Sequence, residues 1–386
     1  MNQNNIVGLC MTYKGTNYGQ LLQAYALQQV VKGLGYSTEI IDYTSGKNKG
    51  LKLSYATIYV SLNQIRSLVK NRFSNNINQD DLHKKNIQMR KKVSDKFRED
   101  RLTDIVKCNG FSQLRENSKK YASVIVGSDQ IWIPSTCVTN FYTLRFAAKG
   151  VNRISYATSM GVSSYPKYAK KMSKDYWRKI NYLSVREDQA RKIIHEIAGV
   201  EATVVADPTY LLTQSEWNEL IPESKVIEGK YILCYFLGDN TYQKNYARYF
   251  SKIMNLPLIS ILSNECVSDD SEFADEVLIG KSPEEFLNLI RNAEYILTDS
   301  FHGVAFSVIF EKQFYVFYRN RTDVKIHRNS RIDNILKKFN LQDRLITDPE
   351  NFHIVQESIN FIQVSETRLK FRDYSLNFLT RALKQE

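Results

Sequence analysis

The first 43 residues confine the chain to a narrow set of folds. A short apolar segment, Ile6 to Met11, runs into a loop that holds Gly15 and Gly19. A helical stretch follows, Gln20 to Leu34, with apolar residues at Leu21, Tyr25, Leu27, Val30, Val31 and Leu34, and Gly35 stands where such a helix would stop. A second strand, Ser37 to Tyr43, comes next. Strand, loop, helix, strand is the opening of a parallel, doubly wound sheet, because parallel neighbours need a long crossover between them.

The same alternation returns further along. Strands are expected at Ala122 to Val126, Arg153 to Thr158, Tyr182 to Val185 and Val200 to Val205, each ending in glycine or polar residues. Gln214 to Glu228 reads as a polar linker. A second series follows at Tyr231 to Phe236, Pro257 to Leu262, Glu276 to Leu278, Tyr295 to Thr298 and Gln313 to Phe317. The expected fold class is therefore α/β, with two Rossmann-like lobes at 1–213 and 214–357 and a C-terminal amphipathic helix at 358–386. Residues 47–120 break the rhythm. They are lysine-rich and read as a basic helical insertion in the first lobe, with Ile58, Leu62, Ile65, Val69 and Phe73 on one stripe. That stripe suits packing on the host lobe, or a membrane surface.

Charge narrows the partners. The chain carries a net charge of +12, and Lys47 to Arg101 alone holds 14 Lys/Arg against 5 Asp/Glu. Such a stretch is either a solvated face or a site for an anionic partner: a membrane leaflet, a phosphorylated substrate or nucleic acid. Nucleic acid is not expected, because the charge is interleaved with acids and the usual reading motifs are missing. The 5 cysteines lack any CxxC spacing, which argues against a disulfide framework or a zinc site and for a reducing cytoplasm. The first residues, MNQNNIVGLC, do not read as a signal peptide, and no apolar run approaches the roughly 20 residues of a membrane span.

Four segments carry candidate chemistry at strand ends, where parallel sheets place their sites. In ILTDSFHGVAFSVIF, residues 296–310, a strand gives way to an apolar helix. Its N-terminus suits an anion. Ser300 or Asp299 can simply cap it, but capping leaves His302 unexplained, and Gly303 permits close approach. In VIVGSDQIW, residues 124–132, Ser128 and Asp129 present oxygens after a strand, or merely cap a turn. In SVREDQA, residues 184–190, Arg186 follows a strand directly, and guanidinium is the natural fork for carboxylate or phosphate. In KGTNYGQLLQAYAL, residues 14–27, Asn17 and Gly19 precede a helix in a loop that is either a phosphate cradle or a plain turn.

Taken in order, NYGQLLQAYALQ, VGSDQIW, SVRED, ADPTYLL and TDSFHGVAFSVIF resemble the polysaccharide pyruvyl transferase family, from about residue 7 to about residue 345, and NSRIDNIL at 329–336 also fits. The resemblance implies a fold like the two-lobed glycosyltransferases of the B type. It implies phosphoenolpyruvate as donor and a pyruvate ketal on a sugar hydroxyl pair as product. It assigns Arg186 and His302 to donor binding or catalysis and adds Asp129 as a catalytic candidate. Ile133 departs from the family pattern, in which asparagine commonly follows the tryptophan. No metal and no cofactor beyond the donor are expected. The acceptor would be a surface-polysaccharide sugar, polymeric or linked to a lipid diphosphate, which suits a cytoplasmic enzyme held near the inner membrane face. A nucleotide-sugar glycosyltransferase of the same fold is the alternative.

Overall fold

A computed structural model describes residues 5–45, 81–264, 270–319, 329–347 and 357–386. The stripe from Ile58 to Phe73 and Cys266 lie outside the described residues. Two all-parallel sheets form the frame. The first has the order β3-β2-β1-β4-β5-β6-β7. Its strands are β1 (Ile6–Cys10), β2 (Ser37–Thr44), β3 (Ile105–Asn109), β4 (Ser123–Val126), β5 (Asn152–Thr158), β6 (Tyr182–Val185) and β7 (Thr203–Val204). The second has the order β10-β9-β8-β11-β12-β13, built from β8 (Ile232–Tyr235), β9 (Leu258–Ile261), β10 (Glu276–Leu278), β11 (Tyr295–Thr298), β12 (Gln313–Phe317) and β13 (Leu345–Ile346). The strand order reverses direction at β1/β4 in one sheet and at β8/β11 in the other. A crevice opens outside the carboxyl ends at such switch points.

Helices α1 (Tyr18–Gly33), α2 (Asp81–Arg101), α3 (Gly110–Ser118), α4 (Lys167–Trp177) and α5 (Asp188–Ala198) accompany the first sheet. The short α6 (Gln214–Asn218) precedes the second, which carries α7 (Thr241–Met254), α8 (Pro283–Asn292), α9 (Phe301–Ile309) and α10 (Ser330–Phe339); α11 (Phe361–Lys384) ends the chain. Central strands are apolar on both faces, as burial between helix layers requires: every residue of β4, β8 and β9 is buried.

The expectation of two Rossmann-like lobes agrees with this frame, with two local corrections. The lysine-rich stretch is not helical throughout: β3 pairs in parallel with β2 from Ile40↔Ile105 to Thr44↔Asn109. Its edge position exposes Ile105, Lys107 and Asn109, so its composition hides it. Gln214 to Glu228 is no free linker at its start. A capping box between Thr213 and Glu216 starts α6, and Trp217 is fully buried, its indole donating to the Thr209 carbonyl at 3.0 Å.

The lobes share one continuous core. Tyr18 of α1 stacks on Phe286 of α8, with ring centroids 4.4 Å apart, and donates to the Lys281 carbonyl at 2.8 Å. Helix α2 spans the seam: Asn86 donates to Leu262 O and accepts from the Gly280 amide at 2.8 Å, while the Arg90 guanidinium lies 3.4 Å over the Tyr18 ring. Helix α11 starts beside the second lobe and ends on the first, where Ser375 Oγ accepts from the Ala206 amide and Ala382 O accepts from Asn152, both at 2.8 Å.

Candidate active site

The ends of β4, β6, β7 and β11 meet where the two lobes face each other. Arg186 leaves β6 and is buried at 3 % exposure. Its NH1 donates to Asp207 Oδ2 at 2.7 Å, its NH2 lies 3.8 Å from Asp129 Oδ1, and its guanidinium sits 4.2 Å over the Phe301 ring. Nε and NH2 have no hydrogen-bond partner among the described residues. Asp207, just past β7, is the hub. Its Oδ2 also accepts from Ser128 Oγ at 2.8 Å, while Oδ1 accepts from the Thr209 amide and hydroxyl at 3.0 and 2.9 Å. Burial alone would raise its pKa; His302, Arg186 and the Thr209 amide outweigh that and hold it below the ordinary carboxylate value.

Asp129 sits after β4 with φ +72°, a left-handed conformation that aspartate tolerates better than most residues. Its carbonyl accepts from the Ile131 and Ser159 amides, which fixes the turn. Burial pushes its carboxyl up, but Arg186, His302 and Arg331 pull it below the usual range. Glu187, beside Arg186, accepts from Ser159 Oγ and the Met160 amide, both at 2.9 Å, and so ties down the loop after β5.

From the second lobe comes His302, in the first turn of α9 and 7 % exposed. Its Nε2 lies 3.8 Å from Asp207 Oδ2 and has no hydrogen-bond partner among the described residues. Burial is the main force on it and depresses its pKa below 6.5, against the opposing pull of Asp207. Arg331, in the first turn of α10, is the second buried guanidinium. With its amide oxygen turned toward Arg331, as the hydrogen-bond pattern requires, Gln130 accepts from NH1 and NH2 at 3.0 and 2.9 Å. Arg331 Nε has no partner among the described residues. Burial, then repulsion from Arg186, makes its charge hard to hold and draws its pKa well below that of a free guanidinium.

The structure thus brings together Ser128, Asp129, Arg186 and His302. It gives the other sequence candidates structural work. The helix N-terminus was expected to suit an anion, but the Gly303 N–H points to Ser300 Oγ at 3.4 Å, and the Val304 amide donates to Ser300 O at 3.0 Å. Ser300 is the cap of α9 and Asn17 the cap of α1. A Cβ on Gly303 would lie 2.4 Å from Thr298 Oγ1, which explains the glycine by packing. Gly19 has a similar reason: a Cβ there would lie 2.0 Å from His302 Nδ1. Asp207 and Arg331 were missed as site residues, although ADPTYLL and NSRIDNIL contain them.

The sequence model for polysaccharide pyruvyl transferase matches residues 17–321. The chain belongs to the polysaccharide pyruvyl transferase family. In this pyruvyl transferase family member, the matched span takes in Asp129, Arg186, Asp207 and His302, whereas Arg331 falls beyond it. Among solved structures, the chain is similar to a UDP-N-acetylglucosamine 2-epimerase assigned as putative in Listeria monocytogenes, at 10% identity and TM-score 0.49, over 99% of this chain and 91% of that one. It is similar to the UDP-GlcNAc 2-epimerase of Methanocaldococcus jannaschii at 13% identity and TM-score 0.48, over 96% and 92%. It is also similar to the glycosyltransferase SnogD of Streptomyces nogalater at 11% identity and TM-score 0.42, over 97% and 95%. A comparison with curated proteins gives no match. Among the described residues no helix is long and apolar enough to cross a membrane, and no cluster of three His, Cys, Asp or Glu is placed to hold a metal ion.

Proposed function

We propose that the chain transfers the pyruvyl group of phosphoenolpyruvate to a pair of sugar hydroxyls, forming a cyclic ketal and releasing phosphate. One observation carries the reading: two buried guanidinium groups, Arg186 and Arg331, keep N–H atoms without partners beside an imidazole and a carboxylate. Buried unsatisfied donors are costly, of the order of 1–3 kcal/mol each and more when charged. A small, highly charged anion seated between them removes that cost. Phosphoenolpyruvate offers a carboxylate and a phosphate, one for the Nε/NH2 fork of Arg186 and the other for Nε of Arg331.

The chemistry distributes naturally. His302 donates a proton to C3 of the enol, and C2 becomes cation-like. One sugar oxygen attacks C2 and yields its proton to the site. The C2–O bond to phosphate breaks, and phosphate leaves with that electron pair. The second sugar oxygen closes the ring, and its proton leaves with phosphate. Asp129, held ionised by Arg186, is the base for a sugar hydroxyl. Asp207 touches no substrate in this scheme; it positions Arg186 and Ser128 and faces the imidazolium. The lysines of α2, an exposed row that includes Lys84, Lys85, Lys91, Lys92 and Lys96, favour an acceptor carried on an anionic carrier such as a lipid diphosphate.

The test is direct. Membrane lipids carrying saccharides are incubated with the protein and phosphoenolpyruvate, then read by mass spectrometry. One added pyruvyl ketal, lost in His302→Ala and Arg186→Ala, is the expected result. Transfer from a nucleotide sugar instead, with no thermal protection by phosphoenolpyruvate, overturns it.

A further inference from the structure

A cavity of about 460 Å³ opens at the carboxyl ends of β1 and β2. Its floor is Met11–Gly15, leaving β1, and its sides are the end of β2 and the loop 138–142. That volume falls within the roughly 300–1,000 Å³ of small-molecule sites. Tyr13, Tyr43, Phe141 and Tyr142 line it, and the Tyr43 and Phe141 rings stack with centroids 5.3 Å apart. Tyr13 is 5 % exposed, with its hydroxyl beside Asp42, and Thr12 Oγ1 has no hydrogen-bond partner among the described residues. Arg98 of α2 fixes this wall by donating to the carbonyls of Tyr13 and Gly15, the latter at 2.8 Å.

The cavity adjoins the candidate active site. Tyr142 feels the charge of Asp129, and Gly127, two residues before Asp129, packs on Met11. Gln20 lines the cavity next to Gly19, which touches His302. The charge in the lining does not favour a nucleotide: Lys14 is paired with Asp42. Aromatic walls with hydroxyl- and amide-bearing side chains among them suit a neutral pyranose, whose C–H faces pack on rings while its hydroxyls find partners.

We infer that this cavity is the acceptor-sugar subsite, holding a pyranose so that its hydroxyl pair reaches Asp129. The inference rests on the pyruvyl-transfer reading. Saturation-transfer NMR with methyl β-galactopyranoside, methyl α-mannopyranoside and N-acetylglucosamine tests it on the whole chain, wild type, Tyr13→Phe and Asn140→Trp. At least one glycoside receives saturation from the wild type. The signal falls about tenfold, equivalent to about 1.4 kcal/mol, in Asn140→Trp, which fills the cavity, and severalfold in Tyr13→Phe, which deletes one hydroxyl. Thermal protection by phosphoenolpyruvate is unchanged in both variants. Equal saturation in all three proteins overturns the subsite, as does failure of every glycoside to receive saturation from the wild type. If saturation falls as stated but phosphoenolpyruvate protects none of the proteins, the subsite stands and the donor assignment falls.

Discussion

Replacing Gly19 by alanine puts one methyl group against the imidazole of His302. The added Cβ would meet Nδ1 at 2.0 Å, Cγ at 2.4 Å and Cε1 at 2.5 Å, whereas ordinary contact begins at 3.4 Å, so the ring must retreat by about 1.4 Å. It has no easy exit, because His302 is buried and its edge faces the Phe301 ring. Overpacking of this kind costs about 1–3 kcal/mol. The same change gains up to about 1 kcal/mol of helix propensity in the first turn of α1. The two effects separate in a double-mutant cycle. In a His302→Ala background the clash is gone and only the helical gain remains, so Gly19→Ala changes from destabilising to neutral or stabilising. The expected coupling is about 1–3 kcal/mol, read from thermal or urea unfolding of the four proteins. In turnover, a shift of about 1 Å in a reacting group costs on the order of a hundredfold, so Gly19→Ala lowers kcat far more than it lowers stability. Additive effects in the cycle, or a Gly19→Ala enzyme with undiminished kcat, would refute the claim that this glycine exists to seat the imidazole.

The other expectations follow from the same cluster. Asp207→Asn removes the counter-charge of a buried guanidinium and forces one amide N–H against a donor, at a cost of about 3–5 kcal/mol at pH 7. Because the native carboxyl is held low, that loss is complete above about pH 4, the unfolded value, and shrinks as pH falls through the native pKa; unfolding curves at pH 7 and below 4 measure it. Under the proposed donor assignment, phosphoenolpyruvate is expected to raise the depressed pKa of His302, so that binding takes up a proton and weakens as pH rises; calorimetry in two buffers is to show the uptake in wild type and not in His302→Gln. Ser375→Ala orphans the buried Ala206 amide and costs about 1–3 kcal/mol, measured as a lowered unfolding midpoint with phosphoenolpyruvate affinity unchanged.

Much of this architecture was legible because it is local. Apolar runs of four or five residues closed by glycine or polar residues marked the central strands, and Arg186, Asp129 and His302 stood out as polar residues at strand or helix ends. What stayed hidden depends on distance along the chain. Nothing near Gly19 says that residue 302 will press against it, so the loop reads as either a phosphate cradle or a plain turn. Asp207 stands before a proline and caps the short helical turn Pro208–Tyr210. Its role as counter-ion appears only when β6 and β7 lie side by side. Arg331 needs the second lobe folded over the first. The edge strand β3 was lost in lysines, because an edge can expose alternate residues and still pair.

The arrangement of charge also explains why the site needs both lobes. The first lobe supplies Asp129, Asp207 and Glu187 against Arg186, an excess of carboxylate that by itself would repel an anion. The second supplies Arg331 and an imidazole whose pKa burial lowers. Together they leave Nε and NH2 of Arg186 and Nε of Arg331 without partners among the described residues, close to His302 and Asp129. A lobe interface is the natural place for such a balance, because only there can opposite deficits be folded separately and cancelled on contact.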